Sequence, residues 1–198
     1  MININHRLAF IHINKTTGSS IERALGWSLD DSTHMTLKDL HKVIHLTHFY
    51  KFTFIRNPYD KMVSQYHHRK QNMKDESVLD ITFKDWINNL DELGFDIKGT
   101  GNQIAWLSLQ DWVWDANKQE YSQKPDKIEI GVDFIGFFES LQKDWRELQD
   151  EIGIKNYIKL PHRRKSEHNH YREYYNDKTQ EIVYKRFEDD FKIFGYKF

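Results

Sequence analysis

Lys15 heads a run of small and hydroxyl-bearing residues, Lys-Thr-Thr-Gly-Ser-Ser, within FIHINKTTGSSIERAL (residues 10–25). Apolar strand formers precede the run and a helical pattern follows it, so it reads as a strand-to-helix loop. Such a loop exposes the free N–H groups of the first helical turn, and the helix dipole favours an anion there. Lys15 adds a point charge. Thr16, Thr17, Ser19 and Ser20 offer hydroxyl donors, and Gly18 permits close backbone approach. The chemistry indicated is anion binding, although the same residue types also suit an ordinary turn with a solvated lysine. The loop is not a Walker A motif, which places its lysine late and a hydroxyl on Mg²⁺. Here the lysine comes first, where it would meet a bridging oxygen and need no metal partner.

A second group of the same character lies in YKFTFIRNPYDKMVSQYHHR. Arg56 ends an apolar strand, and Ser64 follows eight residues later within the next helix. The planar guanidinium suits a phosphate, although an arginine at a strand end also suits an ion pair with Asp60. Histidine is the side chain best suited to proton transfer near pH 7, and eleven compete for that role. His12 lies within the first strand and reads as an orienting or core group. His41, His45 and His48 have helical spacing but no H-E-x-x-H arrangement, so solvation accounts for them better than zinc does. His67 and His68 sit on the helix after Arg56. His34 precedes the Thr36 helix, in a loop that can face a cleft at the carboxyl side of a sheet.

The elements that must position these residues follow from periodicity. Strands are expected at Leu8–Ile13, Phe52–Ile55, Ile130–Phe138 and Tyr157–Leu160. Helices are expected at Ser19–Leu25 with Gly26 as its stop, from Thr36 to about His45, and from Asn57-Pro58 to about Gln71 with Met62, Val63 and Tyr66 on one face. Further helices should start at Thr82, cover Gln103–Trp114, start at the Ser140 cap and end at Gly153, and close the chain over Asp177–Phe191. Glu120–Lys127 reads as a polar surface excursion. Strands alternating with helices predict an α/β fold on a mainly parallel sheet of about four to five strands.

At 198 residues the chain is expected to form one domain, residues 1–198, with a substantial core. Its 29 basic and 30 acidic residues give a net charge of −1, which argues against an electrostatic nucleic-acid binder. The absence of cysteine excludes disulfides and thiolate chemistry and fits a reducing compartment. No apolar run approaches the roughly 20 residues of a membrane helix, and Met1 leads into a segment too short and polar for a signal peptide. The expectation is a soluble cytoplasmic protein.

With these motifs in place, the chain resembles the PAPS-dependent sulfotransferases, closest to their carbohydrate branch. HINKTTGSSIERAL is similar to the family's 5′-phosphosulfate loop and FIRNPYDKMVSQYHH to its 3′-phosphate motif. The likeness continues through VDFIGFFESL, LPHRRKSEH and the C-terminal YREYYND…FEDDFKIFGYKF. Asn14 stands where proline is common, Thr17 where glycine is common, and Arg164 where that branch often has asparagine.

The resemblance implies a P-loop-like three-layer fold. It also implies metal-free, in-line transfer of a sulfuryl group from 3′-phosphoadenosine 5′-phosphosulfate (PAPS) to an acceptor hydroxyl, expected to be a saccharide's. Lys15 would meet the leaving bridging oxygen, Thr16, Thr17, Gly18, Ser19 and Ser20 the 5′-phosphate, and Arg56 and Ser64 the 3′-phosphate. Arg164 and Lys165 lie in a basic loop (159–165) able to close over the nucleotide or simply to be solvated. STHMTLKDL resembles the segment carrying the family's catalytic histidine, which makes His34 the expected base. Trp86, Trp106, Trp112 and Trp114 are candidates for stacking a sugar, or for the core. The competing readings are a metal-dependent nucleotide kinase, which would need a late lysine and an acidic metal ligand, and a nucleotide-binding module without catalysis. The latter leaves Lys15 and His34 without roles.

Overall fold

A computed structural model describes residues 1–27, 34–72, 80–90, 101–115, 117, 120–161 and 168–198. In chain order its strands are β1 (Ile2–Asn3), β2 (Leu8–Ile11), β3 (Tyr50–Ile55), β4 (Val113–Asp115), β5 (Glu120–Gln123) and β6 (Phe134–Phe137). The helices are α1 (Gly18–Ala24), α2 (Leu37–Val43), α3 (Pro58–Asn72), α4 (Phe83–Asn88), α5 (Gln103–Trp106), α6 (Leu141–Glu151), α7 (Asp177–Arg186) and α8 (Glu188–Phe194). The chain forms two compact units, the first built on Met1–Arg56, Gln103–Asp111 and the stretch from Pro125.

The first unit holds a four-stranded sheet in the order β1-β2-β3-β6. β2, β3 and β6 are parallel, with Phe10 opposite Phe52 and Phe52 opposite Phe134, and β1 is antiparallel to β2. The fold is therefore α/β on a mainly parallel sheet flanked by helices, as the alternation predicts. Leu8, Phe10, Phe52 and Phe54 pack with Ile21 of α1, Trp145 and Leu148 of α6, and Leu160. A core of that kind fixes the register, because a one-residue slip would turn every one of these rings to the opposite face.

Tyr157–Leu160 is not a strand. Its backbone is taken by α6 instead: Ile158 N–H donates to Gln149 Oε1 at 2.6 Å, and Trp145 Nε1 donates to the Ile158 carbonyl at 2.6 Å. The helix expected over Gln103–Trp114 stops at Trp106. Beyond it, Ser108 bridges Ile130, and the Ser108 hydroxyl accepts the Gln110 N–H at 3.0 Å, which ends helical pairing. Ser140 occupies the N-cap position of α6, as expected, but its side chain makes no capping bond. Its hydroxyl donates to Asp144 at 2.8 Å, after a 3₁₀ turn at Phe138–Ser140.

The second unit comprises Asn57–Asn102, Trp112–Lys124 and the C-terminal stretch through Phe198. Asn57 Oδ1 accepts the Tyr59 N–H at 3.0 Å, and Pro58 opens α3, matching the sequence expectation. Tyr59, Met62, Val63 and Tyr66 of α3 bury against Phe83, Trp86 and Ile87 of α4 and Val183, Phe187 and Phe191 near the C-terminus. The expected closing helix is two helices, broken at Phe187, whose ring is fully buried and whose φ and ψ are −114° and 24°. Glu120–Gln123, expected as a surface excursion, pairs with β4 as a two-stranded ribbon. Among the described residues no helix is long and apolar enough to cross a membrane.

Candidate active site

β2 delivers the chain to His12 and Ile13, and the loop Asn14–Thr17 connects them to α1. Lys15 and Thr17 have φ values of 66° and 75°, whereas Asn14 and Thr16 do not enter the positive region. Alternation of this kind turns successive backbone N–H groups toward one side and forms an anion-binding concavity. A left-handed conformation costs a residue with a Cβ roughly 1–2 kcal/mol, and for β-branched Thr17 it is an outlier. It also accounts for the glycine common at this position in the resembling family. Strain retained at one loop marks it as a functional candidate.

The hydroxyls of the loop are not equivalent. Thr16 is fully buried and donates from Oγ1 to the Ile13 carbonyl at 2.8 Å, so its proton serves the loop itself. Ser20 is buried, Thr17 half-buried and Ser19 exposed. Gly18 is required by packing: a Cβ there would lie 2.0 Å from both Cδ2 and Nε2 of His12.

His12 is held from three sides. Its Nδ1 lies 2.6 Å from Oε1 of Glu22, a fully buried residue on α1. Its ring stacks on Phe10 at 5.4 Å and lies against Gly18. The His12 carbonyl accepts from Nδ1 of His34 at 3.1 Å, and the two rings are 4.4 Å apart at 60°. A carbonyl can only accept, so Nδ1 of His34 carries the proton and Nε2 of the neutral ring keeps its lone pair. His34 is exposed overall, yet desolvation of its ring against His12 lowers its pKa below the usual histidine value, opposed by the bond to the carbonyl. It is therefore neutral at pH 7, the state a general base needs.

Arg56 is buried at the end of β3. Gln103 clamps its backbone from both sides, accepting the Arg56 N–H at 2.9 Å and donating to the Arg56 carbonyl at 2.8 Å. The guanidinium donates from Nη1 to the Lys15 carbonyl at 3.2 Å and lies 4.0 Å over the Phe138 ring. The structure thus brings Lys15, His12, His34 and Arg56 together in one unit. Ser64 is buried on α3 in the other unit. Arg164 and Lys165 lie outside the described residues.

A model of the sulfotransferase family matches residues 1–197. The chain belongs to the sulfotransferase family. It is accordingly a transferase of the kind that moves sulfuryl groups. The chain is also 26% identical over 104 residues, 52% of its length and 67% of the relative's, to an uncharacterized protein of Archaeoglobus fulgidus. No solved structure matches it.

Other candidates fall elsewhere. Trp86 and Trp106 are core residues, 2% and 5% exposed, and cannot stack a sugar. Trp112 is half-buried against Tyr121, and the side chain of Trp114 lies outside the description. His41, His45 and His48 are exposed, and among the described residues no group of three His, Asp or Glu side chains could hold a metal. His67 bonds the Tyr174 hydroxyl at 2.9 Å and stacks on His168. Glu22, Gln103 and Phe138 join the site without any of the residue patterns above pointing to them. An acidic residue beside Ile21 at the buried edge of α1 was the available signal for Glu22; nothing in the sequence singles out the other two.

Proposed function

We propose that the chain transfers a sulfuryl group from PAPS to a hydroxyl of a saccharide, without a metal, and that residues 1–198 act as a single domain. The observation that carries this reading is the alternating-φ loop at Lys15, with Arg56 bonded to its carbonyl and His34, held through Nδ1 by the His12 carbonyl, in the same unit. The residues present suit the donor. The loop N–H groups of Thr17, Gly18 and Ser19, with the Ser19 and Ser20 hydroxyls, hold the 5′-phosphate. Lys15 stabilises the bridging oxygen as the S–O bond breaks and charge accumulates there. Arg56 takes the 3′-phosphate, and Ser64, eight residues on along the chain, is assigned to it by sequence resemblance; each charge-assisted hydrogen bond contributes roughly 1.5–3 kcal/mol. Arg164 and Lys165 belong to the same proposal by sequence resemblance alone. His34 accepts the acceptor's hydroxyl proton at Nε2 as the oxygen attacks sulfur. A cytoplasmic location belongs to the same proposal; a chain without cysteine fits a reducing compartment.

The test is transfer of ³⁵S from labelled PAPS to a panel of polysaccharides in the presence of EDTA. Label in a saccharide supports the reading. Phosphate transfer from ATP that requires Mg²⁺, with no transfer from PAPS, replaces it with the kinase.

A further inference from the structure

Glu22 is the buried charged group at the site to which the proposed chemistry gives no role. Its residue is wholly inaccessible to solvent, and burying a carboxylate is costly unless it is tightly bonded. Its Oε1 lies 2.6 Å from Nδ1 of His12. An ionised carboxylate only accepts, so His12 carries its proton on Nδ1. The ring cannot turn away, because Phe10 covers one face and the Gly18 backbone closes on its Cδ2–Nε2 edge. His12 in turn makes both contacts that His34 has among the described residues, one through its carbonyl and one through its ring.

We propose that Glu22 is a positioning residue for the base: its carboxylate fixes the tautomer and rotamer of His12, and His12 then seats His34 with Nδ1 protonated and Nε2 available to the acceptor. The inference rests on the sulfuryl-transfer reading given above. Among the described residues the titratable groups acting on His34 are His12, Glu22 and the amino group of Met1, and of these Glu22 raises its proton affinity. Removing that charge while keeping the shape weakens the base and moves its titration to lower pH.

The experiment is Glu22→Gln, followed through PAPS turnover with the saccharide accepted in the panel and through 3′,5′-ADP binding. Loss of an orienting partner typically costs about 10–100-fold in activity. The expected result is a loss of that order in kcat, an unchanged KM for PAPS and an acidic limb displaced to lower pH. A merely structural role would lower the melting temperature and leave kcat of the folded protein and the limb where they were; that result overturns the proposal. Long-range ¹H–¹⁵N spectra of the unmodified protein decide the matter if the variant does not fold. Protonation on Nδ1 of both His12 and His34 at neutral pH supports the proposal, and protonation on Nε2 of His34 overturns it. If the unmodified protein fails to bind 3′,5′-ADP, the donor reading falls by itself, and the tautomer measurement still judges the Glu22–His12–His34 arrangement.

Discussion

Nδ1 of His34 lies 3.1 Å from the carbonyl oxygen of His12, and that one bond assigns the two ring nitrogens of His34 to different tasks. Nδ1 donates to the backbone, leaving Nε2 as the basic face. A positioned base contributes about 10²–10⁴ in rate, so His34→Ala should lose turnover by that factor while binding 3′,5′-ADP normally. Desolvation lowers the His34 pKa, so activity should fall as pH drops through a midpoint below the ordinary value of about 6.5. The pH–rate profiles of the parent and the variant check both points. A limb that survives in the variant transfers the role to another group, His12 first.

Arg56 is pinned by the Lys15 carbonyl and the Phe138 ring. In the proposed complex the guanidinium meets the 3′-phosphate, and Ser64 belongs to the same proposal by sequence resemblance. Arg56→Ala and Ser64→Ala should each weaken 3′,5′-ADP binding, by about 10–100-fold for the arginine, and affect adenosine 5′-phosphosulfate far less. Titration calorimetry with both ligands distinguishes the outcomes, and equal losses would show that the 3′-phosphate is bound elsewhere.

Thr17 holds a left-handed backbone that glycine adopts without strain. Thr17→Gly relieves roughly 1–2 kcal/mol and gives back about 0.5–1 kcal/mol through the freer unfolded chain. A small net gain in stability, up to about 1.5 kcal/mol, is expected, with no gain for Thr17→Ala. Chemical denaturation of both variants checks this. Equal effects of glycine and alanine would mean that the backbone is not what limits this position.

The sheet was legible because its strands are short apolar runs flanked by turn residues, and the anion loop because lysine, glycine and hydroxyl residues cluster at a strand end. Tyr157–Leu160 misled for the same reason: apolarity marks burial, not pairing, and here Gln149 and Trp145 take the backbone groups. The break at Phe187 was masked by continuous helical periodicity, although the Glu188-Asp189-Asp190 run marks a helix start. The role of Gly18 could not be read, since the ring filling its hollow comes from His12, six residues earlier. Neither could the seat of His34, which depends on a backbone carbonyl and therefore on no side-chain type.

Lys61 of α3 is fully buried, and desolvation lowers its pKa to about 8, with Asp190 opposing and Arg186 assisting the shift. Between about pH 8 and 10 the unfolded chain therefore holds more protons on this residue than the folded one does, so stability rises with pH in that window. The full effect is on the order of 3 kcal/mol. Urea midpoints of the parent relative to Lys61→Met should move in the parent's favour from pH 7.5 to 10. A pH-independent difference would mean that Lys61 titrates normally.

In the proposed complex the loop at Lys15 and the guanidinium of Arg56 accept a nucleotide bearing a 3′-phosphate. Thermal unfolding of the unmodified protein with 3′,5′-ADP, and separately with ATP and Mg²⁺, tests it most directly. A ligand at 100 times its Kd stabilises by about 2.7 kcal/mol, roughly 5–10 °C for a chain of this size. 3′,5′-ADP should raise the melting temperature by such an amount, and Mg-ATP at the same concentration far less. Stabilisation by Mg-ATP with none from 3′,5′-ADP would contradict it.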